Sequence, residues 1–93
     1  MIRSFRDAET ERLFRQERGS KLARPLQRAA MRKLLLLDAA ESLDDLRVPP
    51  GDRLEKLAGD RECRHGIRVN DQYRVCFRWE GGEAFDVKIV DYP

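Results

Sequence analysis

The stretch Arg64-His65-Gly66-Ile67-Arg68-Val69-Asn70-Asp71-Gln72-Tyr73-Arg74-Val75-Cys76-Phe77-Arg78-Trp79 decides the fold. Two runs alternate apolar and polar residues on either side of Asn70-Asp71, the pattern of a β-hairpin. On the second run Tyr73, Val75, Phe77 and Trp79 share one face, and Arg74, Cys76 and Arg78 share the other. The first run repeats the scheme, with Ile67 and Val69 on one side and Arg68 on the other. One face of this hairpin can pack a core. The other lines up guanidinium groups, whose planar forks suit phosphate oxygens. A small sheet with an arginine-bearing face points to a polyanionic substrate.

Beyond the hairpin, Glu80-Gly81-Gly82-Glu83 makes a second turn, after which Phe85, Val87 and Ile89 alternate with Asp86, Lys88 and Val90. That parity sets Tyr92 on the face opposite Phe85, Val87 and Ile89. Before the hairpin, Pro49-Pro50-Gly51-Asp52 is the strongest breaker in the chain. A short irregular strand is expected over residues 53–57, followed by a loop at Ala58-Gly59-Asp60-Arg61.

The pattern upstream of the breaker is helical. Met1 to Phe5 reads as an initial strand or an ordered arm. Asp7 suits the cap of a helix running to about Arg18, with Leu13 and Phe14 as apolar contacts and Gly19-Ser20 as its end. Pro25 fits the first turn of a second helix, on which Leu26, Ala30, Leu34 and Leu37 recur at helical spacing. Leu35 and Leu36 widen that stripe, so this helix is either buried on more than one side or set against a partner. Ser42-Leu43-Asp44-Asp45 starts a short helical turn carrying Leu43 and Leu46. Helices followed by a meander of antiparallel strands predict an α+β domain, residues 1–93, with the helices on one face of the sheet.

Composition narrows the function. The 19 basic residues are nearly matched by 17 acidic ones, leaving a net charge of +2. That balance argues against a general nucleic-acid coat and for charge placed locally. Residues 53–78 hold seven Arg or Lys against four Asp or Glu, so the region around the hairpin is locally basic. No stretch approaches the apolar length that spans a bilayer, and no membrane role is expected. Arg3, Arg6, Asp7 and Glu9 interrupt any secretion-signal core, and a reducing cytoplasm is the expected location. A single histidine and two cysteines are too few for a zinc site, and Cys63 and Cys76 read as inert thiols. Neither a metal nor any other cofactor is expected.

The run from Asn70 to Trp79, preceded by Ile67-Arg68-Val69 and followed by Val90-Asp91-Tyr92, resembles the HigB killer-protein family of the RelE/ParE toxin superfamily. The likeness extends from Met1-Ile2-Arg3-Ser4-Phe5 through Leu43-Asp44-Asp45-Leu46 and Pro49-Pro50-Gly51-Asp52-Arg53-Leu54. It implies a RelE/ParE-like fold and a type II toxin that cleaves messenger RNA in the ribosomal A site. The implied partner is a HigA-type helix-turn-helix antitoxin, through which alone operator DNA would be reached.

The chemistry of such a family uses no metal: the RNA 2′-hydroxyl attacks the adjacent phosphate, leaving a 2′,3′-cyclic phosphate and a free 5′-hydroxyl. It calls for charge stabilisation at phosphorus, a base for the attacking hydroxyl and an acid for the leaving oxygen. Arg68 and Arg74 are the expected phosphate clamps, Asp91 and Tyr92 complete the catalytic set, and Glu55 is a candidate base. Lys56, Arg64 and Arg78 are expected to bind RNA. Two departures stand out. Relatives usually end in Asp-Tyr-His, whereas here Asp91-Tyr92 is followed by Pro93, which shifts proton transfer towards Tyr92. Some relatives carry a histidine and a lysine after the Pro-Pro-Gly turn, where this chain has Glu55, Lys56 and Ala58.

Plainer readings stand beside these. Arg74 could be a surface ion-pair partner of Asp86 or Asp91, and Tyr92 a packing residue. His65 opens the hairpin, away from the family's base, and reads as structural or exposed. Trp79 shares its face with Tyr73, Val75 and Phe77 and reads as core. The basic residues of the first helices, Arg28 and Arg32 among them, are solvent-facing or contact ribosomal RNA. At the level of function, the alternatives are a non-catalytic toxin that binds DNA gyrase, as the ParE branch does, and a structural partner of the antitoxin on operator DNA.

Overall fold

A computed structural model of the chain describes residues 1–17, 22–47 and 64–91, together with the backbone of 55–56. The elements run α1 (Ala8–Phe14), α2 (Arg24–Ala39), a 3-10 turn (Leu43–Arg47), β1 (Glu55–Lys56), β2 (His65–Arg68), β3 (Tyr73–Glu80) and β4 (Glu83–Asp91). The strands form one antiparallel sheet in the order β1-β2-β3-β4. This is the α+β arrangement expected, with both helices packed against the strands. No helix among the described residues is long and apolar enough to cross a membrane.

The initial segment is an ordered arm laid parallel to the β4 edge. Ile2 bridges Ala84 and Phe5 bridges Val87. Arg3 N–H donates to the Ala84 carbonyl at 2.8 Å and Arg6 N–H to that of Val87 at 2.9 Å. Pairing this edge removes a row of open backbone groups that would otherwise invite another chain. The Ile2 N–H also donates to Asp38 Oδ1 on α2, at 2.9 Å.

Asp7 caps α1 as expected, its Oδ1 accepting from the Thr10 N–H at 3.0 Å. The helix stops sooner than the sequence suggests, at Phe14 rather than near Arg18. Gln16 takes a left-handed conformation (φ 61°), and the Glu17 N–H closes back on the Arg12 carbonyl at 2.8 Å, a C-terminal cap. The Gly19-Ser20 stop lies outside the described residues. On α2, Pro25 sits in the first turn, and Ala30, Leu34 and Leu37 are fully buried. Leu35 and Leu36 are 50% and 40% exposed, so nothing within the described fold covers a second side of this helix.

The core lies between the helices and the sheet face bearing Ile67, Val75, Phe77 and Val87, all fully buried. Trp79 packs there edge-on to Phe77, with ring centroids 6.2 Å apart. His65 stacks on the other side of Phe77 at 5.7 Å, a structural role. Buried Thr10 locks α1 to the sheet, its Oγ1 accepting from the Ile89 N–H at 3.1 Å.

Phe85 is not on the core face. The pairing jumps from Cys76↔Lys88 to Arg78↔Phe85, a β-bulge at which Asp86 takes φ 55°. The extra residue inverts the alternation, so Ala84 joins Val87 in the core and Phe85 crosses to the arginine side. The cysteine reading also needs correction: Cys76 is fully buried with Val90 packed beside it, and it is disulfide-bonded rather than a thiol. Cys63 lies outside the described residues.

Candidate functional site

The β2–β3 register sets Arg68 directly across from Arg74. Opposed residues on an antiparallel pair share a face at close range, where like charges repel. Each guanidinium is therefore engaged by acceptors of the connecting turn. Arg68 Nη2 forms an ion pair with Asp71. Arg74 Nη1 donates to the carbonyls of Asn70 (2.7 Å) and Tyr73 (3.1 Å). The turn is held in shape by Asn70, whose Oδ1 accepts from the N–H groups of Gln72 (2.8 Å) and Tyr73 (2.7 Å). The motif that looked like a simple hairpin turn is also the anchor of both arginines.

The Arg68–Asp71 pair is asymmetric. The Arg68 side chain is 25% exposed, whereas that of Asp71 is 92% exposed. An ion pair with so solvated a carboxylate is worth at most about 1 kcal/mol. A phosphodiester able to bridge both guanidiniums can displace it, because bidentate charge-assisted bonds are stronger than a single solvated contact.

Arg78 occupies the same face further along β3, but its surroundings differ. Glu80 lies 2.5 Å from Nη1, Asp86 Oδ2 lies 3.4 Å from Nε, and the guanidinium rests 4.9 Å over the Phe85 ring. Its pKa is raised above the ordinary arginine value, first by the hydrogen bond to Glu80 and then by the charges of Glu80 and Asp86, against a lowering by desolvation. Two carboxylates over-neutralise this end of the face. The cationic end is the one at the Asn70 turn.

Alternation along β4 puts Lys88, paired with Cys76, and Val90, paired with Arg74, on the arginine face. Lys88 is a half-buried cation on that face which the sequence reading left out of the site, although its parity with Val90 was visible. Asp91 is different. Its Cα partner is Tyr73, which gives it the parity of the core-facing residues, and its Oδ2 accepts from Gln72 Nε2 at 3.0 Å. The structure thus brings Arg68 and Arg74 together and separates Asp91 from them by one step of the pleat. Arg64 is exposed immediately before β2. Glu55 is the register partner of Gly66 and Lys56 of His65. Tyr92 lies outside the described residues. No cluster of histidine, cysteine and carboxylate groups suited to a metal ion occurs among the described residues.

A helix pair backing an antiparallel sheet, with paired cations on the sheet's far side, defines a class of small α+β protein. Comparison with known proteins gives that class its family. The family model described as a RelE-like toxin of type II toxin–antitoxin system HigB matches residues 3–92. Toxin HigB-1 of Vibrio cholerae is 39% identical over 87 residues, covering 92% of each chain. A Haemophilus influenzae protein without an assigned function is 36% identical over 81 residues, covering 86% of this chain and 80% of its own. The chain belongs to the HigB-like toxin family of type II toxin–antitoxin systems.

Proposed function

We propose that this toxin is a metal-independent, ribosome-dependent endoribonuclease that cuts messenger RNA during translation in the cytoplasm and is neutralised by a HigA-type antitoxin. The observation that carries the reading is the cross-strand pair of Arg68 and Arg74, two guanidiniums on one face at the end of a stiff hairpin. Placed on the scissile phosphate, they stabilise the charge that builds on its non-bridging oxygens as the 2′-oxygen attacks. The 2′-hydroxyl gives its proton to a base, the new O–P bond closes the cyclic phosphate, and the P–O5′ bond breaks as the leaving oxygen is protonated.

Tyr92 is the assigned proton donor, taking over the part of the histidine that relatives carry where this chain has Pro93. Glu55, register partner of Gly66 beside the Arg68 position, is the assigned base. Asp91, whose Oδ2 accepts from Gln72 Nε2, directly precedes Tyr92 in the sequence and completes the proposed catalytic set. Lys56, Arg64 and Lys88 supply flanking phosphate contacts. Arg78 has the weakest claim, because Glu80 and Asp86 already satisfy it. The whole chain, residues 1–93, acts as one toxin domain.

Primer extension on cellular messages after brief induction tests the activity. New 5′ ends inside translated codons are expected. Intact messages accompanied by a DNA-damage response would overturn the nuclease reading in favour of a gyrase-binding toxin. Intact messages and normal growth without antitoxin would leave only a structural partner.

A further inference from the structure

The bulge in β4 carries Phe85 out of the core and onto the arginine face. A phenyl ring has no polar atom to gain from water. The bulge that moves it holds Asp86, a non-glycine residue, at φ 55°. Bulges beside functional sites re-aim a side chain, and strained torsions cluster at such sites. The re-aimed ring packs against Arg78, whose guanidinium carbon sits 4.9 Å from its centroid. The edge of that guanidinium is occupied as well. Nη1 lies 2.5 Å from Glu80 Oε2, and Nε lies 3.4 Å from Asp86 Oδ2. A ring on one face and carboxylates along the edge fix the plane, yet the Arg78 side chain is still 30% exposed. What it has left to offer is its outer flat face.

We infer that Arg78, backed by Phe85, is a stacking platform for one nucleobase of the bound message, a purine in preference to a pyrimidine. The inference deepens the nuclease reading and rests on the arginine face meeting RNA. Charge selects a base over a phosphate here. One guanidinium against the two carboxylates of Glu80 and Asp86 leaves a net charge of −1, which repels a phosphate but not an uncharged base. A guanidinium plane stacks on any base, and the larger purine face gains more from it. The position fits too. Arg74 and Arg78 lie on one straight strand, about 13 Å apart at the usual rise per residue, and Lys88 stands on the face between them. The phosphate held at the Arg68–Arg74 pair and the stacked base therefore belong to different nucleotides, and Lys88 meets the backbone joining them. A platform at that distance from the cut makes the toxin sensitive to the identity of a base it does not cleave beside.

Abasic scanning tests this, with the purified chain titrated onto ribosomes programmed with a short message. The message carries 2′-O-methyl groups, so the attacking hydroxyl is blocked and binding is read without cleavage. One base at a time is removed while its ribose and phosphate stay. With the wild-type chain, affinity is expected to fall about fivefold or more at one position, the scale of losing a stacked base. Uridine there should bind more weakly than adenosine. In Phe85→Leu and Arg78→Lys the intact message should bind as weakly as the abasic one, with no further loss on removing that base. Arg78→Lys is the discriminating variant, because lysine keeps the charge and its carboxylate contacts but has no plane to stack. If Arg78 served only as an ion-pair partner, lysine would replace it. An Arg78→Lys chain with the wild-type abasic penalty would overturn the inference, as would a wild type with no position-specific penalty. Should Phe85→Leu lose its thermal transition, Arg78→Lys decides alone. Message cleavage, mapped by primer extension, is scored separately. A penalty without cleavage sinks the nuclease reading and leaves the platform, whereas cleavage without a penalty sinks the platform and leaves the nuclease.

Discussion

Arg68 and Arg74 stand opposite each other across the β2–β3 ladder, and the turn between them supplies acceptors to both. A like-charged pair in that position costs stability unless something compensates. The Asn70-Asp71 turn compensates in the free protein, and a phosphate would do so in a complex.

Removing either guanidinium should cost the toxin its substrate. Arg68→Ala and Arg74→Ala are each expected to lower the cleavage rate by roughly 10²- to 10³-fold, the range for losing one preorganised charge-stabilising donor. Each should also flatten the salt dependence of single-stranded RNA binding by about one phosphate contact. Arg74→Lys should recover little, because an ammonium cannot reproduce a planar two-point contact. Growth arrest by a folded Arg68→Ala/Arg74→Ala chain would count against the clamp.

On the proposed mechanism, Asp71 competes with substrate for Arg68. Asp71→Asn is expected to tighten RNA binding by up to about fivefold, the equivalent of a solvated ion pair worth at most about 1 kcal/mol. Thermal stability should barely move, since the Asp71 side chain is 92% exposed. Fluorescence anisotropy with a labelled oligoribonucleotide measures it, and weaker binding by the neutralised variant would show that Asp71 orients Arg68 rather than masks it.

The two arginines were legible in the sequence because strand alternation is a strict period of two and the hairpin has a short, recognisable turn. The same logic failed on β4. A bulge is set by one residue's backbone torsion, and Asp86 gives no warning that it sits at φ 55°. One extra residue then exchanged Phe85 with Ala84 between the faces. Asp91 keeps the parity of Ile89, which the sequence did show, yet it was grouped with the arginines through family likeness rather than geometry. The Leu35–Leu36 ambiguity could not be settled by periodicity, because buried and partner-facing leucines follow the same helical spacing. The Cys76 disulfide depends on three-dimensional proximity, which no count of cysteines reveals.

The bulge makes its own prediction. Asp86→Gly is expected to be close to neutral, or stabilising by up to about 1 kcal/mol, because glycine adopts the left-handed conformation without the Cβ clash. The lost contact to Arg78 is a partly exposed pair and offsets little of this. Asp86→Val should cost about 2 kcal/mol, since a branched side chain is poorly tolerated at that torsion. Urea unfolding of the three proteins orders them, and a valine variant as stable as the parent would mean the bulge relaxes away.

Thr10 tests whether the helices hold the sheet through one polar contact as well as through apolar burial. Its hydroxyl is the acceptor for the Ile89 N–H at 3.1 Å, and the residue is 2% exposed. Valine has nearly the same shape, so Thr10→Val leaves packing intact and strands a backbone donor away from water. The expected cost is about 1–3 kcal/mol, the penalty for an unsatisfied buried group. Thr10→Ser keeps the acceptor and should recover most of that, losing only a buried methyl worth about 1 kcal/mol. Amide exchange at Ile89 should accelerate in the valine variant more than at Val75, which stays within the β2–β3–β4 ladder. Equal acceleration at both sites would mean that the contact stabilises the fold globally rather than pinning α1 to the last strand.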